Sequence, residues 1–176
     1  MVERKGDLHH VALLIGGNEG NRLRLIEMAR SLLQRHVGTI EKISAVYETE
    51  PWGFQSEQTF LNQALLLCTT LEPHALLKSC QTVETELGRQ RHPEIEGYSS
   101  RTMDVDIIFY DQQIIDDDLL QVPHPRMHLR RFVLQPLSEI MPQYIHPVLG
   151  KTVATLLSEV DDIDPLRVVH FTTASK

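Results

Sequence analysis

The sequence is poor in the features that mark several large protein classes. Two cysteines in 176 residues, Cys68 and Cys80, cannot make a disulfide framework. They sit in apolar stretches without ligand-like spacing, as reduced, packed side chains do. No apolar run approaches the ~20 residues of a membrane span, the longest being Val11–Ile15 and Ala64–Cys68. The opening residues, MVERKGDLHH, lack the apolar stretch of a secretory leader. A soluble, cytoplasmic chain with no membrane partner is expected. Positive charge is in deficit: 17 Lys and Arg against 24 Asp and Glu give a net charge of −7. That excludes a broad nucleic-acid footprint, which needs a basic face. Also missing are the G-x-x-x-x-G-K-[ST] phosphate loop, the glycine loop of protein kinases, the dinucleotide fingerprint and the nucleophile elbow. There is no internal repeat and no low-complexity segment.

What remains is an ordinary globular composition, 41% hydrophobic and 23% charged, in a length suited to one domain over residues 1–176 with its core at about 9–160. His10–Gly16 is a continuous apolar run closed by Gly16-Gly17-Asn18, the pattern of a strand buried on both faces. Asn21 is placed to cap a helix carrying Leu23, Ile26, Ala29 and Leu33 at helical spacing, with Gly38 as its stop. Ile40–Tyr47 and Phe60–Thr69 read as a second and a third strand. Pro73 opens a second helix through about Leu87, closed by Gly88. A fourth strand spans Thr102–Tyr110, and Asp111-Gln112 turns the chain. Two helices follow near Phe132–Ile140 and Val153–Val160. The tail after Asp164 has no clear pattern. Strand, helix, strand, strand, helix, strand is the order of a ferredoxin-like α+β sandwich, an antiparallel sheet with helices packed on its faces.

RTMDVDIIFY carries the most chemical information. On a strand, Asp104 and Asp106 share one face while Met103, Val105 and Ile107 turn to the core. Adjacent carboxylates repel, and a hard divalent cation offsets that repulsion. A solvated strand face with two acids is the plain alternative. Arg89, Arg91 and Arg101 flank the pair, and a guanidinium fork suits phosphate. An acidic chain with one basic cluster focuses field on a small polyanion. In PHPRMHLRRFVL, His124 and His128 are separated as one helical face would require for a transition metal, but no third ligand is spaced to join them. With Arg130 and Arg131 beside them, phosphate contact is the better reading. From local pattern, Phe132 is plain core.

In order and spacing these segments resemble the 6-hydroxymethyl-7,8-dihydropterin pyrophosphokinases. The matching stretches are IGGNEGNR, SAVYETEPWGFQSEQTFLNQAL, LLKSCQTVETELGRQR, SRTMDVDIIFY, VPHPRMHLRRFVLQPLSEI and HPVLGKTV, together spanning residues 11 to about 157. The resemblance implies a ferredoxin-like fold and transfer of the β,γ-pyrophosphoryl group of ATP to a hydroxymethyl dihydropterin, releasing AMP, in folate synthesis. It implies that Asp104 and Asp106 hold two Mg2+ ions and, with Arg89 and Arg101, carry catalysis. ATP is expected at Gln81, Glu84, Arg89, Arg91, Tyr98, Arg101, Ile107, His124 and Arg130. The pterin is expected at Thr49, Glu50, Trp52, Phe60, Asn62 and Phe132. A monomer is expected.

The chain departs from the family pattern in three places. Tyr98-Ser99-Ser100 stands where a glycine-proline or tryptophan lead is common, Gly16-Gly17-Asn18 replaces G-S-N, and Phe60 occupies a position some members give to tyrosine. The segment from Arg89 to Ser100 is expected to close over ATP. Two rival readings share the scaffold: a binding module without turnover, and a simple kinase yielding ADP.

Overall fold

The computed structural model describes residues 6–50, 58–88 and 103–171. Strands β1 (His9–Gly17), β2 (Thr39–Ile43), β3 (Val46–Thr49), β4 (Phe60–Thr69), β5 (Asp104–Tyr110) and β8 (Arg167–Val169) form one sheet, and β6 (Ile115–Asp116) pairs with β7 (Gln121–Val122) in a small hairpin. The order β5-β1-β4-β3-β8, with β2 also paired to β4, is antiparallel throughout. Helices α1 (Arg22–His36) and α2 (Pro73–Glu86) cover one face, and α3 (Arg131–Ile140) and α4 (Val153–Glu159) cover the other. The ferredoxin-like α+β expectation therefore holds, with the later helices occupying the second face.

β1 is central and apolar because both its faces are buried. Val11, Leu13 and Ile15 pack against Ile26, Ala29 and Leu33 of α1 and Leu76 and Val83 of α2. Ala12 and Leu14 face the other way, onto Val133, Leu134 and Leu137 of α3. Each fully buried aliphatic side chain contributes about 1.5–3 kcal/mol, so β1 is the strand on which both cores depend.

The expected helix starts and stops hold in part. Asn21 caps α1 by accepting the Arg24 amide at 3.2 Å. Gly88 closes α2 with a left-handed φ of +89°. Gly38 follows the C-cap of α1 and donates its amide to the Leu33 carbonyl at 3.2 Å, and it is needed for a second reason: a Cβ there would lie 2.0 Å from the Cys68 carbonyl oxygen. The second strand is not continuous. Ser44 interrupts it, its hydroxyl accepting the Ala64 amide at 2.9 Å while its carbonyl accepts from Gln63 at 2.7 Å. The tail, without pattern in sequence, supplies β8 against β3. Among the described residues, no helix is long and apolar enough to cross a membrane.

Candidate active site

The sheet register assembles the site. On β1, Gly16 lies opposite Asp104 of β5 on one side and Asn62 of β4 on the other, and Leu14 lies opposite Asp106 and Ala64 in the same way. Asp104, Gly16 and Asn62 thus form one row on the face that carries α3. With strands ~4.8 Å apart, the carboxylate end and the amide end of this row are roughly 10 Å from each other. Val105 and Ile107 point into the opposite core and Met103 is buried, as the alternation requires.

Each end of the row is shaped by specific contacts. Gly16 carries no side chain because the space is taken: a Cβ there would lie 2.4 Å from Asn62 Oδ1 and 2.6 Å from the Leu61 carbonyl oxygen. Asn62 is buried and donates through Nδ2 to Thr49 Oγ1 at 3.3 Å. Phe60, half-buried, pairs in register with Thr49, and Glu50 is exposed just beyond β3. Arg22 ties the first turn of α1 to the entry of β4 by donating to the Thr59 carbonyl and hydroxyl oxygens at 2.8 and 2.7 Å.

At the carboxylate end, the His124 amide donates to the Ile108 carbonyl at 3.1 Å, fastening the segment before α3 to the edge of β5. His124 Nδ1 accepts the Arg126 amide at 3.2 Å. The neutral ring therefore carries its proton on Nε2, as a donor. Burial and the Arg126 cation hold its pKa below the ordinary value, while the Asp104 carboxylate opposes them. Val105 donates its amide to Glu84 of α2 at 2.9 Å, so the buried Glu84 carboxylate positions the backbone between the two aspartates.

The start of α3 carries two of the expected residues, Arg130 for ATP and Phe132 for the pterin. Arg130 is 9% exposed, its guanidinium 5.7 Å from the centre of the Phe132 ring, and burial lowers its pKa. Phe132 is half-buried against the second core. About two turns further on, the helix reaches Tyr47, whose hydroxyl donates to Glu139, and Glu139 also accepts the Ala45 amide at 2.8 Å. Tyr47 is the register partner of Asn62, so this clamp fixes α3 over the amide end.

Several expected residues take places that change their reading. The side chain of Ile107 is in the core, so only its backbone, on the β5 edge that Val105 also presents, is available to a nucleotide. Glu84 is engaged in holding β5, and Gln81 is partly exposed on α2. The His128 ring lies edge-on to His146 with centroids 6.3 Å apart. Trp52, Arg89, Arg91, Tyr98 and Arg101 lie outside the described residues. Gly16, Arg22 and Glu139 were not anticipated as site-shaping groups. A glycine pair ending an apolar strand was the available signal for the first.

A family model for 7,8-dihydro-6-hydroxymethylpterin-pyrophosphokinase (HPPK) matches residues 12–142. The chain belongs to the HPPK family. Two relatives named 2-amino-4-hydroxy-6-hydroxymethyldihydropteridine pyrophosphokinase agree. The Bacillus subtilis protein is 41% identical over 132 residues, 74% of this chain and 77% of the relative. The Aquifex aeolicus protein is 41% identical over 141 residues, 80% and 86% of the two chains. The Pneumocystis carinii folic acid synthesis protein fol1 is 34% identical over 174 residues, where this chain spans 99% of its own length and 23% of the relative's. Among solved structures, Plasmodium falciparum HPPK-DHPS with pteroate superposes with a TM-score of 0.71 at 15% identity, over 90% of this chain and 43% of that one. That likeness establishes the HPPK fold, and this chain spans less than half of that protein. The HPPK match begins on β1 and ends just after α3, so it contains every described site residue.

Proposed function

We propose that this HPPK-family chain transfers the pyrophosphoryl group of ATP to the hydroxymethyl oxygen of 6-hydroxymethyl-7,8-dihydropterin, with magnesium, in folate synthesis. The observation that carries the reading is the row Asp104–Gly16–Asn62. It sets a hard-oxygen pair and a buried amide on one face, roughly 10 Å apart by strand spacing. One end suits a metal-bound polyphosphate, the other the polar edge of a flat heterocycle.

The donor set fits magnesium, which takes one or two carboxylates and completes its shell with phosphate oxygens and water. Asp104 and Asp106 would hold it, as two ions. When bound, magnesium supplies charge neutralisation on the triphosphate and acidifies the attacking hydroxyl. The chain's own groups do the rest. Nε2–H of His124 donates to a phosphate oxygen, and the Arg130 guanidinium adds positive charge beside it. Glu84 holds the backbone of Val105 and so fixes the spacing of the two aspartates. Asn62, braced by Thr49, donates to and accepts from the pterin edge, and Phe132 and Phe60 offer ring surface to its faces. The family resemblance assigns Arg89, Arg91 and Arg101 to the triphosphate and Trp52 and Glu50 to the pterin.

In the reaction, the hydroxymethyl oxygen forms a bond to the β-phosphorus, the bond between that phosphorus and the α,β-bridging oxygen breaks, AMP leaves, and the hydroxyl proton passes to an aspartate or to water. Positioning and charge neutralisation supply most of the rate in such transfers.

The test is a product assay with ATP, magnesium and 6-hydroxymethyl-7,8-dihydropterin that resolves AMP from ADP. Pterin-dependent AMP is the expected product. ADP would make the chain a simple kinase, and no nucleotide product from folded protein would make it a binding module.

A further inference from the structure

At the opposite end of β1 lies a second set of metal-ligating groups that the pyrophosphoryl chemistry does not use. His10 of β1 stands directly opposite Cys68 of β4, and Thr39 of β2 stands opposite Cys68 on the other side. The β2–β4 register slips between Ile40 and Lys42, which leaves Glu41 as the extra residue of a bulge. The Glu41 carboxylate reaches both neighbours: Oε1 accepts from Cys68 Sγ at 2.8 Å, and Oε2 lies 3.6 Å from His10 Nε2. One ligand atom from each of the three residues lies within 4.8 Å of the others.

We propose that His10, Glu41 and Cys68 form a binding site for a zinc-class divalent ion. One thiolate, one imidazole and one carboxylate make a mixed donor set that zinc accepts in tetrahedral sites and that magnesium does not favour. Each ligand is supplied by a different strand of one ladder, so the three are held near one another before any ion arrives. Three protein ligands leave a fourth position for water or a small anion. His10 also lines a cavity of about 640 Å³ floored by Ala12, Leu66 and Phe109, which gives solvent a way to that position.

The surrounding charge favours a cation. Burial first, then the Glu41 carboxylate of β2 and Asp111 after β5, push the Cys68 thiol up to about 11. Facing groups of opposite sign are few. His9 is paired to Asp111 at 2.6 Å, and Lys42 is turned to the Ile140 carbonyl at 3.3 Å. Without an ion, the Cys68 thiol keeps its proton and donates it to Glu41. Binding replaces that proton by the metal, so affinity must rise with pH through the neutral range. From His10 to Gly16 the strand advances roughly 20 Å at ~3.3 Å per residue, so this ion takes no part in catalysis. It would instead join β1, β2 and β4.

The experiment uses the full chain with any affinity tag removed, titrated with Co2+ and with Zn2+. One equivalent of Co2+ should produce a thiolate-to-metal charge-transfer absorption. Zn2+ calorimetry in buffers of different ionisation enthalpy should report about one proton released per ion. Cys68→Ser should abolish the absorption and leave magnesium-dependent turnover unchanged. His10→Ala, an exposed change that spares the core, should abolish tight binding. Cys80→Ala should leave both the absorption and the affinity intact. No charge-transfer absorption in the unmutated chain, or one that survives Cys68→Ser or His10→Ala, overturns the proposal.

Discussion

Replacing Gly16 by alanine tests the geometry of the site more directly than removing a catalytic group. The added methyl would meet Asn62 Oδ1 at 2.4 Å and the Leu61 carbonyl at 2.6 Å. Neither can be accommodated at that separation. One neighbour is backbone of a central strand, so Asn62 and the local β4 ladder must shift together. Overpacking of this kind costs about 1–3 kcal/mol, which for a chain of this size lowers Tm by roughly 2–12 °C. If the displaced amide loses one hydrogen bond to the pterin edge, a further 1–3 kcal/mol is lost from binding, or roughly 5- to 150-fold in pterin Kd. Gly38→Ala is the matched control. Its methyl would collide with the Cys68 carbonyl at 2.0 Å, on the same strand β4 but at the far end from Asn62. It should lower Tm without changing pterin affinity. Thermal melts and calorimetric pterin titration in the presence of a non-hydrolysable ATP analogue provide both readouts. Equal pterin affinity in the two variants would refute the placement of Asn62 at the substrate, and an unchanged Tm for Gly16→Ala would refute the packing argument itself.

Asp104→Ala and Asp106→Ala should each bring AMP formation to background while circular dichroism and Tm stay near those of the parent, because both side chains are only partly buried; normal turnover in either would remove the metal assignment. Tyr47, Tyr110 and Tyr144 are each pushed up to about 12, chiefly by burial, with Glu139 adding to the shift at Tyr47. Their folded values lie above the ordinary 10, so folding favours the neutral phenol. That contribution is whole below pH 10 and is lost as pH rises through 12. Phenolate absorbance should therefore appear together with unfolding, and these tyrosines titrating near 10 in a still-folded chain would contradict it.

The elements that sequence reveals here are those whose pattern is set within the element. β1 and β4 are apolar runs buried on both faces, the paired aspartates of β5 follow period two, and α1 follows its helical stripe from a capping asparagine. The failures have long-range causes. The break at Ser44 depends on hydrogen bonds to Ala64 and Gln63 on another strand. β8 is a strand because the edge of β3 needs a partner, while Arg167 and Val168 stay exposed and carry no apolar signature. At the site, the carboxylate pair was legible because two acids alternate in an otherwise apolar strand. Glu139 was not, since nothing local distinguishes it from a solvated helix acid. Ile107 was matched to nucleotide contact by motif, yet its side chain belongs to the core that alternation assigns it.

The bulge in β5 has an evolutionary consequence. Between Ala12 and Leu13 the register with β1 shifts, so that Ala12 faces Phe109 while Leu13 faces Ile107, leaving Ile108 as the extra residue. Asp104 and Asp106 therefore share a face with Ile108 and Phe109, while Val105, Ile107 and Tyr110 take the other. Losing the bulged residue would restore plain alternation and keep both aspartates on the α3 face, whereas a residue lost elsewhere with the bulge retained would turn them into the apolar layer under α1 and α2. The bulge is thus the one place where β5 can shorten without moving its carboxylates, and descendants of this gene should change the length of β5 there or not at all.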